Sequence, residues 1–306
     1  MSDLKDYIRE EIEEEQRLGY LSQTEGERRL GLLASGSQAG ADAAPAGAGA
    51  APQASAASPS EVAADDSRIT VSTVEFPAAS GSVSGYLARP AGAGSAPGVL
   101  VIHENKGLVP YIESVARRLA AAGYVALAPD LLSRAGGTKS FADPAEATGA
   151  LGKITPQELV ADLKSALTYL EGLGHVNGSA VGALGFCFGG GLTWRLATED
   201  PRLSGAVPFY GPIPPLEAVS DITAPVFAIY GELDERITSK LPVIEAAMSK
   251  HGKDFDKTVY PGAQHAFHND TNLDRYNPEA AEQAWAAALD HLATWLGGPA
   301  AGKPAS

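Results

Sequence analysis

The chain's single cysteine lies in Gly185-Phe186-Cys187-Phe188-Gly189, a G-x-C-x-G run between an apolar stretch that predicts a strand and a glycine-rich stretch that predicts a helix start. Flanking glycines permit a tight strand-to-helix turn that leaves the central side chain at the strand's C-terminal end, where a nucleophile can act. The helix N-terminus beneath it supplies partial positive charge and free N–H groups, which favour a thiolate and stabilise an oxyanion. A buried structural cysteine or a phosphate-binding loop would use the same glycines, so the motif alone does not decide.

Partners follow downstream in the order acid, then histidine. Gly231-Glu232-Leu233-Asp234 comes directly after the apolar run Val226 to Tyr230, and Pro261-Gly262-Ala263-Gln264-His265-Ala266-Phe267 after the last predicted strand. Asp234 and His265 therefore fall in loops at strand C-termini, the edge at which open α/β sheets bind ligands. A thiol, an imidazole and a carboxylate converging there can carry out nucleophilic acyl transfer. Glu232 and Glu235 compete for the acid's place, and His268 for the histidine's.

The elements that must position these residues begin at Ser67. Ile69 to Phe76 and Val83 to Arg89, about a turn at Gly81-Ser82, predict an antiparallel pair. Strands are expected at Pro97 to His103, Tyr124 to Leu131, Ala180 to Gly185, Ser204 to Tyr210, Pro225 to Tyr230 and Lys257 to Tyr260. Helices alternate with them at Tyr111 to Ala122, Pro156 to Leu170, from about Gly189, Ser239 to His251 and Pro278 to Leu296. Such alternation predicts a mostly parallel central sheet with helices on both faces, an α/β fold.

With these motifs placed, the chain from Ser67 to Leu296 resembles the dienelactone hydrolase, or carboxymethylenebutenolidase, family of the α/β-hydrolase superfamily. The resemblance rests on the Phe186-Cys187-Phe188-Gly189-Gly190 elbow, the Gly231-x-x-Asp234 turn, the Pro261-Gly262-Ala263-x-His265-x-Phe267 loop and His103-Glu104-Asn105. It implies an ester or lactone hydrolase with a Cys187, His265, Asp234 triad, an acyl-thioester intermediate and no cofactor. It also implies that Glu104 takes the thiol proton and that the backbone N–H groups of Asn105 and Phe188 form the oxyanion hole. Family members acting on dienelactone hold its carboxylate with arginines, one shortly after the catalytic histidine. Here Asn269 stands at that place and Arg275 is the first arginine downstream, which leaves Arg134 as a substitute and predicts a preference for neutral substrates. The competing reading is a catalytically silent hydrolase-like module that binds a small ligand or partner. His103, His265, His268, Cys187 and Glu104 are of zinc-ligating types but lack any zinc spacing, so no metal is expected.

Composition narrows the rest. The 306 residues carry a formal charge of -14, and one cysteine excludes an intrachain disulfide or a multi-cysteine metal site. With a pI near 4.8 and no basic cluster, nucleic acid is not an expected partner. No apolar run is long enough to span a membrane. Residues 34–67 are almost all Ala, Gly, Ser and Pro, which predicts a disordered linker between a charged helical head, 1–33, and a domain over 68–298, with a flexible tail at 299–306. The head is read as a solvated appendage whose removal should leave the domain active. Its Glu27-Arg28-Arg29-Leu30-Gly31-Leu32-Leu33 run also resembles a degenerate twin-arginine signal, so export is the alternative to a cytoplasmic location. Oligomeric state is left open.

Overall fold

The central strands are continuous apolar runs, and in the computed structural model every residue of β4 (Val125–Pro129), β6 (Ala206–Phe209) and β7 (Val226–Gly231) is buried. Burial without alternation means that both faces of the sheet are covered. The structure describes residues 8–10, 12–13, 23–35, 62–79, 81–92 and 94–298. Residues 1–7, 11 and 14–22 of the expected head, residues 36–61 of the expected linker and the tail at 299–306 lie outside them.

Eight strands form one sheet in the order β1-β2-β4-β3-β5-β6-β7-β8. The remaining strands are β1 (Ile69–Ala78), β2 (Gly81–Pro90), β3 (Ala96–Ile102), β5 (Val176–Phe186) and β8 (Phe255–Tyr260). Strand β2 runs antiparallel to both neighbours and the other pairings are parallel. The first hairpin differs from expectation: Ser82 pairs with Pro77 and Gly81 with Ala78, so the two strands run further and Gly81-Ser82 belongs to β2.

The helices are α1 (Gln23–Ser35), α2 (Pro110–Ala121), α3 (Pro144–Leu151), α4 (Pro156–Glu171), α5 (Phe188–Glu199), α6 (Glu235–Thr238), α7 (Leu241–Lys250) and α8 (Pro278–Leu296). Helix α4 starts as its sequence demands: Thr155 Oγ1 accepts from the Glu158 N–H, the Glu158 side chain accepts from the Thr155 N–H, and Pro156 occupies the first turn. Helix α3 was not foreseen, because PAEATGAL shows little amphipathic pattern. Its signal is local, Asp143 capping the Ala145 N–H ahead of Pro144.

The head does not meet solvent on every side. Leu33 on α1 is buried, as are Ile8 and Ile12, and all three join the hydrophobic core. Among the described residues no helix is long and apolar enough to cross a membrane.

Candidate active site

Parallel strands β5, β7 and β8 end at one edge of the sheet, and the loops beyond them carry Cys187, Asp234 and His265. Cys187 joins β5 to α5 with φ 55 and ψ -117, a left-handed backbone that a β-bearing residue adopts only when its surroundings impose it. The flanking glycines make that turn sterically feasible. A Cβ on Gly185 would collide with Gly189 O and Thr193 Oγ1, and one on Gly189 with the Ile102 and His103 carbonyls. Cys187 N–H donates to Phe209 O at 3.0 Å, tying the elbow to β6. Phe188 begins α5, so its N–H belongs to the first turn, where no intrahelical acceptor exists.

His265 Nδ1 lies 2.5 Å from Asp234 Oδ2, and both residues are buried. Burial opposes ionisation of Asp234, but the charge and hydrogen bond of His265, with Arg236 and Arg275 beyond it, hold the carboxyl below its usual pKa. An ionised Asp234 on Nδ1 leaves the opposite ring edge, Nε2, for proton transfer. The rivals are elsewhere. Glu232 and Glu235 are exposed. His268 Nδ1 bonds the Tyr111 hydroxyl at 2.7 Å, and its ring stacks on Phe186. Burial, then the nearby Arg118 charge, push the His268 pKa well down, so it is a neutral packing residue.

Tyr210, which the sequence reasoning missed, joins the parts. It follows β6 with φ 37, and its ring packs edge-on against His265 at 5.2 Å. Burial raises its pKa well above 10, and nearby Tyr111, Glu104 and Cys187 add to that rise. Its position at a strand end on the same sheet edge was the available signal.

Glu104 and Asn105 follow β3 and are buried. The Asn269 amide donates to Glu104 Oε2 at 2.8 Å, while Asn269 Oδ1 accepts from the Thr271 N–H and hydroxyl. Asn269 is thus engaged as a clamp on Glu104, a role the sequence did not reveal. Arg134 is not brought to the site: its guanidinium pairs with Asp162 at 2.8 Å and Glu158 at 3.1 Å, both on α4. Arg236, two residues past Asp234, and buried Arg275 supply the cationic surroundings of the acid instead.

His103 fixes the geometry of the next peptide. Its Nε2 accepts from the Leu131 N–H at 3.1 Å, so the neutral ring carries its proton on Nδ1 and donates it to Glu104 O at 2.6 Å. Complete burial lowers its pKa and keeps it neutral. In a trans peptide C=O and N–H point in opposite directions. Holding Glu104 O therefore aims the Asn105 N–H the other way. Asn105 O in turn accepts from Thr148 Oγ1 at 3.0 Å.

Among the described residues no three His, Cys, Asp or Glu side chains form a group that could hold a metal ion. A thiol on a strained elbow, a histidine bonded to a carboxylate, a second carboxylate and the N–H groups of a helix start are groups of the types that covalent acyl transfer uses.

Residues 83–296 match the dienelactone hydrolase family. A "Putative carboxymethylenebutenolidase" of Saccharolobus solfataricus is 36% identical over 220 residues, 61% of this chain and 85% of that protein. A Bradyrhizobium protein named "Probable 2-oxo-3-(5-oxofuran-2-ylidene)propanoate lactonase" is 34% identical over 206 residues, 63% of this chain and 82% of its own. The crystal structure of a "Putative Dienelactone Hydrolase" from Klebsiella pneumoniae superposes with a TM-score of 0.68 at 28% identity, covering 75% of this chain and 98% of that one.

Proposed function

The chain belongs to the dienelactone hydrolase family, hydrolases of lactones and esters, and from that premise we propose that it cleaves a small neutral ester or lactone through an acyl-thioester on Cys187. The thiol proton passes to Glu104 as substrate binds, and the thiolate attacks the carbonyl carbon. Negative charge gathers on the carbonyl oxygen, which accepts from the Asn105 and Phe188 N–H groups. Glu104 passes that proton to His265 Nε2, and as the tetrahedral adduct collapses the C–O bond breaks and His265 protonates the leaving oxygen. His265 then takes a proton from water, whose hydroxide attacks the thioester, and Cys187 departs as the thiolate, which regains its proton from His265. Water and ester yield one acid and one alcohol, or one hydroxy acid from a lactone.

The observations that carry this reading are the strained Cys187 elbow at the start of α5 and, at the same edge of the sheet, a His265 held by Asp234 at 2.5 Å. The neutral preference is supported by Asn269, whose amide is engaged with Glu104 and brings no charge. Cys187→Ala is expected to abolish turnover of activated esters without loss of fold, and Cys187→Ser to retain little, because a hydroxyl is a poorer nucleophile than a thiolate. Undiminished turnover by the alanine variant would move the nucleophile elsewhere.

A further inference from the structure

We propose that helix α1, which lies outside the family-matching region, is part of the catalytic apparatus: it holds α3 so that Thr148 keeps the oxyanion loop in register. The inference rests on the reading of the Asn105 N–H as an oxyanion donor.

Helix α3 needs outside support. It has eight residues, half of them Ala or Gly, and a helix shorter than about 12 residues is marginal unless tertiary contacts hold it. Helix α1 grips it at both ends. At its start, Asp143 caps the Ala145 N–H with Oδ1 while Oδ2 accepts from Arg28 Nη2 at 2.6 Å. At its end, Leu33 Cδ1 fills the space that a Cβ on Gly152 would need. Gly26, Leu30 and Leu33, spaced as one helical face, are buried or half-buried, and Leu30 and Leu33 pack on the core.

Between these two grips stands Thr148. Its hydroxyl is buried and its one proton is shared between Pro144 O at 2.9 Å and Asn105 O at 3.0 Å. The Asn105 carbonyl and the Asn105 N–H belong to adjacent peptide units, so a displaced α3 rotates the peptide next to the oxyanion donor. His103 secures that donor from one side and Thr148 from the other. Thr148 is therefore a positioning residue, and α1 acts through it.

The test uses the full chain with a neutral activated acetate ester, reading kcat, KM and the rate of Cys187 alkylation by iodoacetamide. Leu33→Asp places a charge in the α1 contact. Gly152→Ala approaches from the other side: Gly152 has φ -63, which alanine adopts freely, and its only close clash is with Leu33. Thr148→Val removes the hydroxyl at constant shape, and Thr148→Ser restores it. Leu33→Asp, Gly152→Ala and Thr148→Val are each expected to lower kcat by about tenfold, part of the roughly 10²- to 10³-fold that one oxyanion donor supplies. KM and the alkylation rate should hold, Thr148→Ser should keep wild-type kcat, and Leu33→Asp with Thr148→Val should lose no more than the worse single change. If Leu33→Asp does not fold, Gly152→Ala carries the test. Wild-type kcat in the α1-contact variants, losses that multiply, or a parallel fall in alkylation would overturn the inference. Wild-type turnover that does not depend on Cys187 would instead sink the Cys187 acyl-thioester reading on which it rests.

Discussion

Replacing His103 by Asn and by Gln separates two duties of one ring. The Asn amide nitrogen falls near the position of Nδ1, so it can donate to Glu104 O, but it leaves the buried Leu131 N–H without its acceptor. The Gln amide oxygen reaches toward the position of Nε2 and can accept from Leu131, but it leaves Glu104 O to the longer 3.3 Å hydrogen bond from the Gly107 N–H, a weaker hold on its direction. The Asn variant strands the buried Leu131 N–H at a cost of about 1–3 kcal/mol, whereas the Gln variant loses one hydrogen bond to Glu104 O, about 0.5–1.5 kcal/mol. For a domain of this size that lowers Tm by about 2–4 °C per kcal/mol. Both variants should therefore melt earlier, the Asn variant by more. Their rates should part: His103→Asn keeps most of kcat, whereas His103→Gln loses aim of the Asn105 N–H and with it up to about 10²- to 10³-fold in kcat. Melting curves, steady-state hydrolysis of a neutral activated ester and Cys187 alkylation would be measured on the same samples. A Gln variant with wild-type kcat, or an Asn variant slower than Gln, would refute the claim that the Nδ1 hydrogen bond orients the oxyanion donor.

Substrate charge and pH offer two further tests. For matched esters differing only in a carboxylate, kcat/KM should favour the neutral one, and Asn269→Arg should narrow the gap; a tenfold preference for the anion, about 1.4 kcal/mol, would show that another cation such as Arg236 or Arg275 binds it. Buried, neutral His103 and His268 have folded pKa values below the ordinary 6.5. As pH falls below 6.5 the unfolded chain binds protons that the folded one refuses, so stability should decline, by about 1.4 kcal/mol per pH unit for each histidine. Denaturant unfolding at pH 7.5, 6.5 and 5.5 checks this, and replacing His268 by Gln should flatten the decline; a stability unchanged across that range would contradict the neutral assignment.

The elbow at Cys187 and the placing of Cys187, Asp234 and His265 at one edge of the sheet were legible in the sequence because each lies in a local motif at a strand end. Asn269 was singled out for the charge it lacks, but its bond to Glu104 spans 165 positions, and no spacing rule reaches that far. Arg134 was misjudged for the converse reason: a loop arginine near Gly136-Gly137 looks available until α4 folds beneath it and supplies Asp162 and Glu158. Helix α3 escaped notice because Ala and Gly carry little periodic signal, although Asp143-Pro144 marked its start. The packing of α1 on α3 was hidden by the low-complexity stretch that follows α1, whose composition says nothing of the apolar face before it. Tyr210 was signalled by its place at a strand end and Arg236 by standing two residues past Asp234, whereas Arg275 meets the site through tertiary proximity.

The most direct test of the mechanism is mass spectrometry of protein acid-quenched within milliseconds of mixing with an activated acetate ester, with His265→Ala run beside the wild type to slow deacylation. The account predicts one acetyl group on the Cys187 peptide, removable by neutral hydroxylamine as a thioester is, and absent from Cys187→Ala. An acetyl group on another side chain, or rapid turnover with Cys187 unmodified at every time, would contradict it.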